Sequence, residues 1–155
     1  MPTSRRQSRR REAEPRLHDT VRLSADGLAK VLGDLEARVM RAAWKLGKPA
    51  PARAVHAEVA RYHPVALLTV ITVLNKLVAK GLLSRAKRDD LLHFEACLTE
   101  EELLAHASRK VVEGIMSLGS QAVAASFVSV LAETDREQLA EMARLIRRRL
   151  REAEE

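Results

Sequence analysis

The sequence predicts a mainly α chain with a small β-wing: a winged helix-turn-helix followed by a C-terminal helical dimerisation region. Three observations carry that reading. The 155 residues are 46% hydrophobic but only 3% aromatic, with six glycines; the core must therefore be Leu, Val and Ala, a composition that leans to helix. Apolar residues recur at spacings of three and four in three segments before Gly81 and three after Thr99, the period of amphipathic helices. Between them lies a short piece that alternates instead. The predicted organisation is a flexible basic tail over residues 1–26, a winged-helix domain over 27–98 and the C-terminal helices over 99–155.

The tail carries Arg5, Arg6, Arg9, Arg10, Arg11 and Arg16 against Glu12 and Glu14, with too few apolar residues to offset ordering entropy. Such an arm either touches phosphates or is simply solvated. In "LGDLEARVMRAAWKLG" the residues Leu32, Leu35, Val39, Ala43 and Leu46 form the first stripe. Gly47 is a natural C-cap, and Pro49 and Pro51 prevent continuation. Trp44 is expected to plug the core, a stacking role being the lesser reading. "ARAVHAEVARYH" gives a short second helix through Val55 and Val59, closed before Pro64. "LLTVITVLNKLVAKGLL" gives the third, ended by Gly81.

After Gly81, Leu82 and Leu83 open one strand, and Leu92, Phe94 and Ala96 alternate in a second. The polar "AKRDD" joins them, with Asp89 and Asp90 at the turn tip. Thr99 and Glu102 then make a capping box, as do Thr134 and Glu137. The stripes that follow are Leu104, Ala107 or Ser108, Val111 and Ile115; then "QAVAASFVSVLAE" with Phe127 and Leu131; then Leu139, Met142, Leu145 or Ile146, and Leu150. These helices are too lean in apolar residues to form a core alone, so a second copy of the chain is expected to complete them.

Twenty-seven basic residues stand against 21 acidic ones, for a net charge of +6 and a pI near 10. Acidic partners follow, nucleic acid first. The single cysteine, Cys97, builds no disulfide framework and suits a reducing, cytoplasmic setting. No apolar run approaches the roughly 20 residues of a membrane span, so no membrane insertion is expected. His93 and Cys97 lie four apart and His56 and His63 seven apart, without a third ligand at a metal-site spacing. No nucleophile elbow, phosphate-cradling glycine loop or paired-carboxylate motif is present. Neither an enzyme, a metal site nor a cofactor is expected.

The third helix carries the functional reading. At about 100° per residue, Val70, Leu74, Leu77 and Val78 gather on one side, and Thr69, Thr72, Val73, Lys76 and Lys80 on the other. Short hydroxyls let a helix backbone approach a base edge closely, and their methyl groups meet thymine methyls. Lys76 and Lys80 suit phosphates. β-branched residues cost helix propensity, and a binding surface explains the cost.

Four segments together, "LGDLEARVMRAAW", "ARAVHAEVA", "LLTVITVLNKLVAKGLLSR" and "LTEEELLA", resemble the penicillinase-repressor family of winged-helix regulators (the BlaI, MecI and CopY type) from about Leu32 to Leu150. The family's L-G-x-L-E-x-x-V-M-x-x-x-W pattern is complete here in Leu32, Gly33, Leu35, Glu36, Val39, Met40 and Trp44. Val55 and His56 match its second helix. Thr69, Val70, Thr72, Leu74, Leu77, Lys80, Gly81 and Leu82 match most of its recognition helix.

The resemblance implies a homodimeric transcriptional repressor. The third helix would enter the major groove of double-stranded DNA at a palindromic operator. The wing, through Lys87 and Arg88, would meet the backbone, and the C-terminal helices would pair the subunits. It also implies release either by copper or by a sensor protease activated by β-lactam.

The chain departs from the pattern in places. Leu67 and Leu68 stand where the family has adjacent threonines, and Val73 where a further threonine is frequent. Asp89, Asp90, Leu92 and Phe94 replace the wing's Gly-Arg and two tyrosines. No paired-cysteine tail supports copper sensing, and of the Asn-Phe pair of cleaved members only Phe127 is kept, after Ser126. These departures leave a rival reading, a protein–protein module on a winged-helix scaffold that has lost sequence-specific DNA binding.

Overall fold

The computed structural model describes Arg16 and residues 26–155. Apart from Arg16 and Asp26, the predicted tail lies outside them. A 3-10 turn at Gly27–Lys30 precedes α1 (Asp34–Leu46), β1 (Ala50–Pro51), α2 (Ala52–Ala60), α3 (Leu67–Ala79), β2 (Leu83–Arg88), β3 (Leu91–Ala96), α4 (Glu100–Met116), α5 (Ser120–Thr134) and α6 (Arg136–Glu154). The chain divides into two compact units between Ser108 and Arg109, inside α4, so α4 contributes to both.

In the first unit α1 starts because Gly33, held extended at φ −65° and ψ 155°, is followed three residues on by Glu36. The Glu36 carboxylate accepts the Gly33 N–H at 3.2 Å, the carboxylate half of a capping box. Gly47 ends the helix at φ 65°, a left-handed cap that glycine adopts without a Cβ penalty. Leu32, Val39 and Met40 are fully buried. Trp44 is half-buried and donates its indole N–H to the Leu98 carbonyl at 2.9 Å, tying α1 to the exit of the wing.

The sheet has three strands, in the order β1-β3-β2, rather than the two predicted. Ala50 pairs with Phe94 and Pro51 with His93. A two-residue strand is too short to show a period, which is why Pro49 and Pro51 read only as helix stops. Proline is tolerated on this edge strand, and Pro51 is also the N-cap of α2. Strands β2 and β3 pair from Leu83↔Ala96 to Arg88↔Leu91. Asp89 and Asp90 both take positive φ, 50° and 63°, as the favoured two-residue hairpin turn requires.

α2 buries Val55 and Val59. Its half-buried His56 donates from Nε2 to the Val65 carbonyl at 2.8 Å, spanning the turn that aims α3. Phe94, Leu82 and Leu83 close the core from the wing side, and Leu103 and Ala107 of α4 close it from another. The predicted box at the start of α4 is complete: Thr99 Oγ1 accepts the Glu102 N–H at 3.1 Å, and the Glu102 carboxylate accepts the Thr99 N–H at 2.8 Å. α4 buries Leu103 and Ala107, and Leu104 beside them is 51% exposed.

In the second unit α6 is capped by Asp135, whose side chain accepts the Gln138 N–H at 3.0 Å. The predicted cap, Thr134, ends α5 and donates its hydroxyl to the Val130 carbonyl. Thr134 is still in the last helical turn of α5, whereas Asp135 takes the non-helical φ −153° and ψ 86° that a cap needs. Neither α5 nor α6 has a buried residue. No single helix among the described residues is long and apolar enough to cross a membrane.

Candidate nucleic-acid interface

The exposed ridge of α3 consists of Leu68, Thr69, Thr72, Lys76 and Ala79; Val70, Val73, Leu74 and Leu77 are buried. Thr69 and Thr72 thus stand where the spacing places them. Val73 does not: it is 8% exposed, and its assignment to the free side is corrected. At about 100° per residue it lies only about 60° round the helix from Val70, inside the arc that packs on the domain.

The Thr72 hydroxyl donates to the Leu68 carbonyl at 3.0 Å. This back-bond, tolerated in helices at a small cost, spends the donor and leaves the oxygen lone pairs and the methyl group to face outward. Thr72 can therefore accept from an exocyclic amine or cover a thymine methyl.

Lys80 is also corrected as a phosphate ligand. Its ammonium is 2.7 Å from Glu36 Oε2, and its side chain is only 20% exposed. It sits at the border of the buried arc and turns inward to α1. Lys76 lies 3.9 Å from the other Glu36 oxygen but remains 64% exposed, so it keeps its charge at the surface. Glu36 itself is buried. It thus caps α1 and clamps the C-terminal end of α3 with one carboxylate.

The wing adds Lys87 and Arg88, both exposed. Lys87 is 3.1 Å from Asp90, so part of its charge is answered at the tip. Arg85, which the sequence reading passed over, and Asn75 of α3 belong here as well. Arg85 donates to Asn75 Oδ1, and Asn75 in turn donates to the Ile71 carbonyl at 3.1 Å. The pair joins strand β2 to α3 and holds a guanidinium beside the threonine ridge. Period-two spacing would have put Arg85 on the same face of β2 as Lys87, but nothing local marks Asn75 as its partner.

The acidic turn opposes phosphate. Asp89→Asn with Asp90→Gly keeps a turn suited to positive φ and removes two negative charges. Binding to every duplex is expected to tighten by about fivefold, or roughly 1 kcal/mol, in fluorescence anisotropy. Unchanged affinity would place the wing tip away from the backbone.

The residues expected to pair two subunits remain open in the described chain. Leu104, Phe127, Leu145 and Ile146 are 51%, 44%, 44% and 54% exposed; Val111, Ile115, Leu131, Leu139 and Met142 are half-buried. Among the described residues no group of three or more His, Cys, Asp or Glu side chains converges to hold a metal ion.

The family model for the penicillinase repressor matches residues 32–148, from the leucine before α1 into the last turns of α6. None of the curated proteins compared with the chain matches it.

Proposed function

The chain belongs to the penicillinase repressor family and is a DNA-binding transcriptional repressor, and on that premise we propose that two copies grip a palindromic operator through paired α3 helices. Thr69 and Thr72 meet base edges in the major groove. Lys76, Arg85, Lys87 and Arg88 meet phosphates. The apolar faces of α4, α5 and α6 join the two subunits and set the spacing of the half-sites.

The observation that carries this reading is the α3 ridge. A helix buried through Val70, Val73, Leu74 and Leu77 leaves two threonines and a lysine exposed on its far side. Short side chains on that side allow the close approach that base contact needs.

A sensor protease as a partner would have to open a helix, because Ser126 and Phe127 lie inside α5. Cleavage there requires local unfolding first, which the lack of buried residues in α5 makes cheap in an unpaired chain.

Gel shifts over a salt series with the chain's own promoter region test the groove assignment. Thr72→Ala should change the ranking of operator variants, by about 1–2 kcal/mol at the affected base pair. Lys76→Ala should weaken binding to all sequences alike and reduce the salt slope by about one. Unaltered affinity in both variants would remove α3 from the groove and favour a protein–protein role for the same scaffold.

A further inference from the structure

A second cationic site lies on the face of α1 turned away from α3. Arg38, Arg41 and Lys45 follow one another at helical spacing along it, and Ala42 lies beside them. Glu58, Val59 and Tyr62 of α2 and the following turn form the other wall of a pocket of about 240 Å³. Going round α1 at about 100° per residue, the three cations fall on the side opposite Glu36, whose carboxylate meets the lysines of α3. A duplex bound by the α3 ridge would not reach them.

The charges in this pocket are unevenly answered. Glu58 pairs with Lys45 and, at 3.3 Å, with Arg61. The Lys45 ammonium beside it holds its carboxyl below the usual carboxylate range, so Glu58 stays ionised and is already neutralised. Arg38 and Arg41 make no ion pair among the described residues. Tyr62 is 72% exposed, a high value for a large ring, and the Lys45 ammonium lies 5.7 Å from its centroid. Two guanidiniums without an ion pair among the described residues, an exposed aromatic ring and an apolar floor of Ala42 and Val59 are complementary to one kind of molecule. We infer that this pocket binds a small planar carboxylate, an aromatic acid, with the carboxylate on Arg38 and Arg41 and the ring against Tyr62.

The chemistry fits that class better than a bare anion. Guanidinium forks match a carboxylate in two parallel hydrogen bonds, while inorganic phosphate would leave the ring and floor unused. The volume admits a molecule the size of benzoate. This inference does not rest on what α3 binds, since it uses none of the α3 residues.

Tyr62 is the chain's single tyrosine, so isotope-labelled tyrosine gives one ring signal in the full-length protein. Titration with benzoate should move that signal saturably, with half-saturation near 1 mM (about −4 kcal/mol). Arg38→Gln with Arg41→Gln should weaken the response at least tenfold, whereas Lys76→Ala should leave it unchanged. Both arginines are exposed, and the indole emission of Trp44 reports that the double variant is folded; Arg41→Gln alone serves if it is not. An unsaturated signal at about ten times that concentration would overturn the inference. So would an equal response in the arginine variant, or an equal response to inorganic phosphate.

Discussion

If two copies pair as proposed, Phe127→Glu is expected to leave the protein a monomer at micromolar concentration and to weaken operator binding by at least about a hundredfold, or about 2.7 kcal/mol. Phe127 sits in the middle of α5, a helix with no buried residue, and is 44% exposed; Val128 and Val130 beside it are 52% and 57% exposed. Each large apolar side chain left in water forgoes about 1.5–3 kcal/mol. In the proposed dimer a helix this apolar would gain its stability from the partner surface rather than from its own propensity.

A glutamate at this position would have to bury a charge in the proposed interface, which costs several kcal/mol unless it is paired. The loss of DNA affinity follows from the loss of the second half-site, because a linked pair binds its second site at high effective concentration. Analytical ultracentrifugation and gel shifts on full and half operators measure the two effects. A variant still dimeric at micromolar concentration would move the interface away from α5. A monomer that binds the full operator as tightly as before would sever dimerisation from recognition.

Glu36→Ala is expected to lower the melting temperature by on the order of 10 °C, from a loss of about 2–3 kcal/mol. The carboxylate is 6% exposed, and its partners include the Gly33 N–H, the Lys80 ammonium at 2.7 Å and the Lys76 ammonium at 3.9 Å. The cap accounts for about 1 kcal/mol. The bond to Lys80, whose side chain is 20% exposed, lies in poorly screened surroundings and accounts for most of the remainder. Lys76, at 64% exposure, adds little. Glu36→Gln keeps an acceptor for Gly33 but loses the charge, so its melting temperature should fall between those of the wild type and the alanine variant. Thermal and urea unfolding of the three proteins decide the matter. A Glu36→Ala protein within about 0.5 kcal/mol of the wild type would show that the clamp between α1 and α3 contributes nothing beyond its geometry.

The same residue marks where sequence reasoning stopped. Glu36 stood out in the sequence only as one letter of a pattern; its partners Lys76 and Lys80 are forty or more residues away, and no spacing rule connects them. By spacing alone Lys80 reads as a phosphate ligand, because a lysine at the end of an exposed stripe has that role when nothing answers it. Val73 was misplaced for a related reason: a stripe read from Val70, Leu74, Leu77 and Val78 leaves the width of the buried arc open, and neighbours from other elements widened it. The strand at Ala50–Pro51 was invisible because its partner, β3, lies far along the chain.

What the sequence determined by itself was local. Helical stripes, the glycine stop at Gly47, the reciprocal box at Thr99 and Glu102, and the hairpin with Asp89 and Asp90 at its tip each depend on residues within a few positions of one another, where backbone sterics and short hydrogen bonds act alone. The multi-segment pattern from Leu32 onward also carried the family. Only the tertiary structure decided which cations stay at the surface: Lys80 turned inward to a buried carboxylate while Lys76 and Arg85 stayed beside the threonine ridge, and Arg38 and Arg41 gathered on the far side of α1. Charge pairing depends on distances between elements, and those distances are set by how the helices pack.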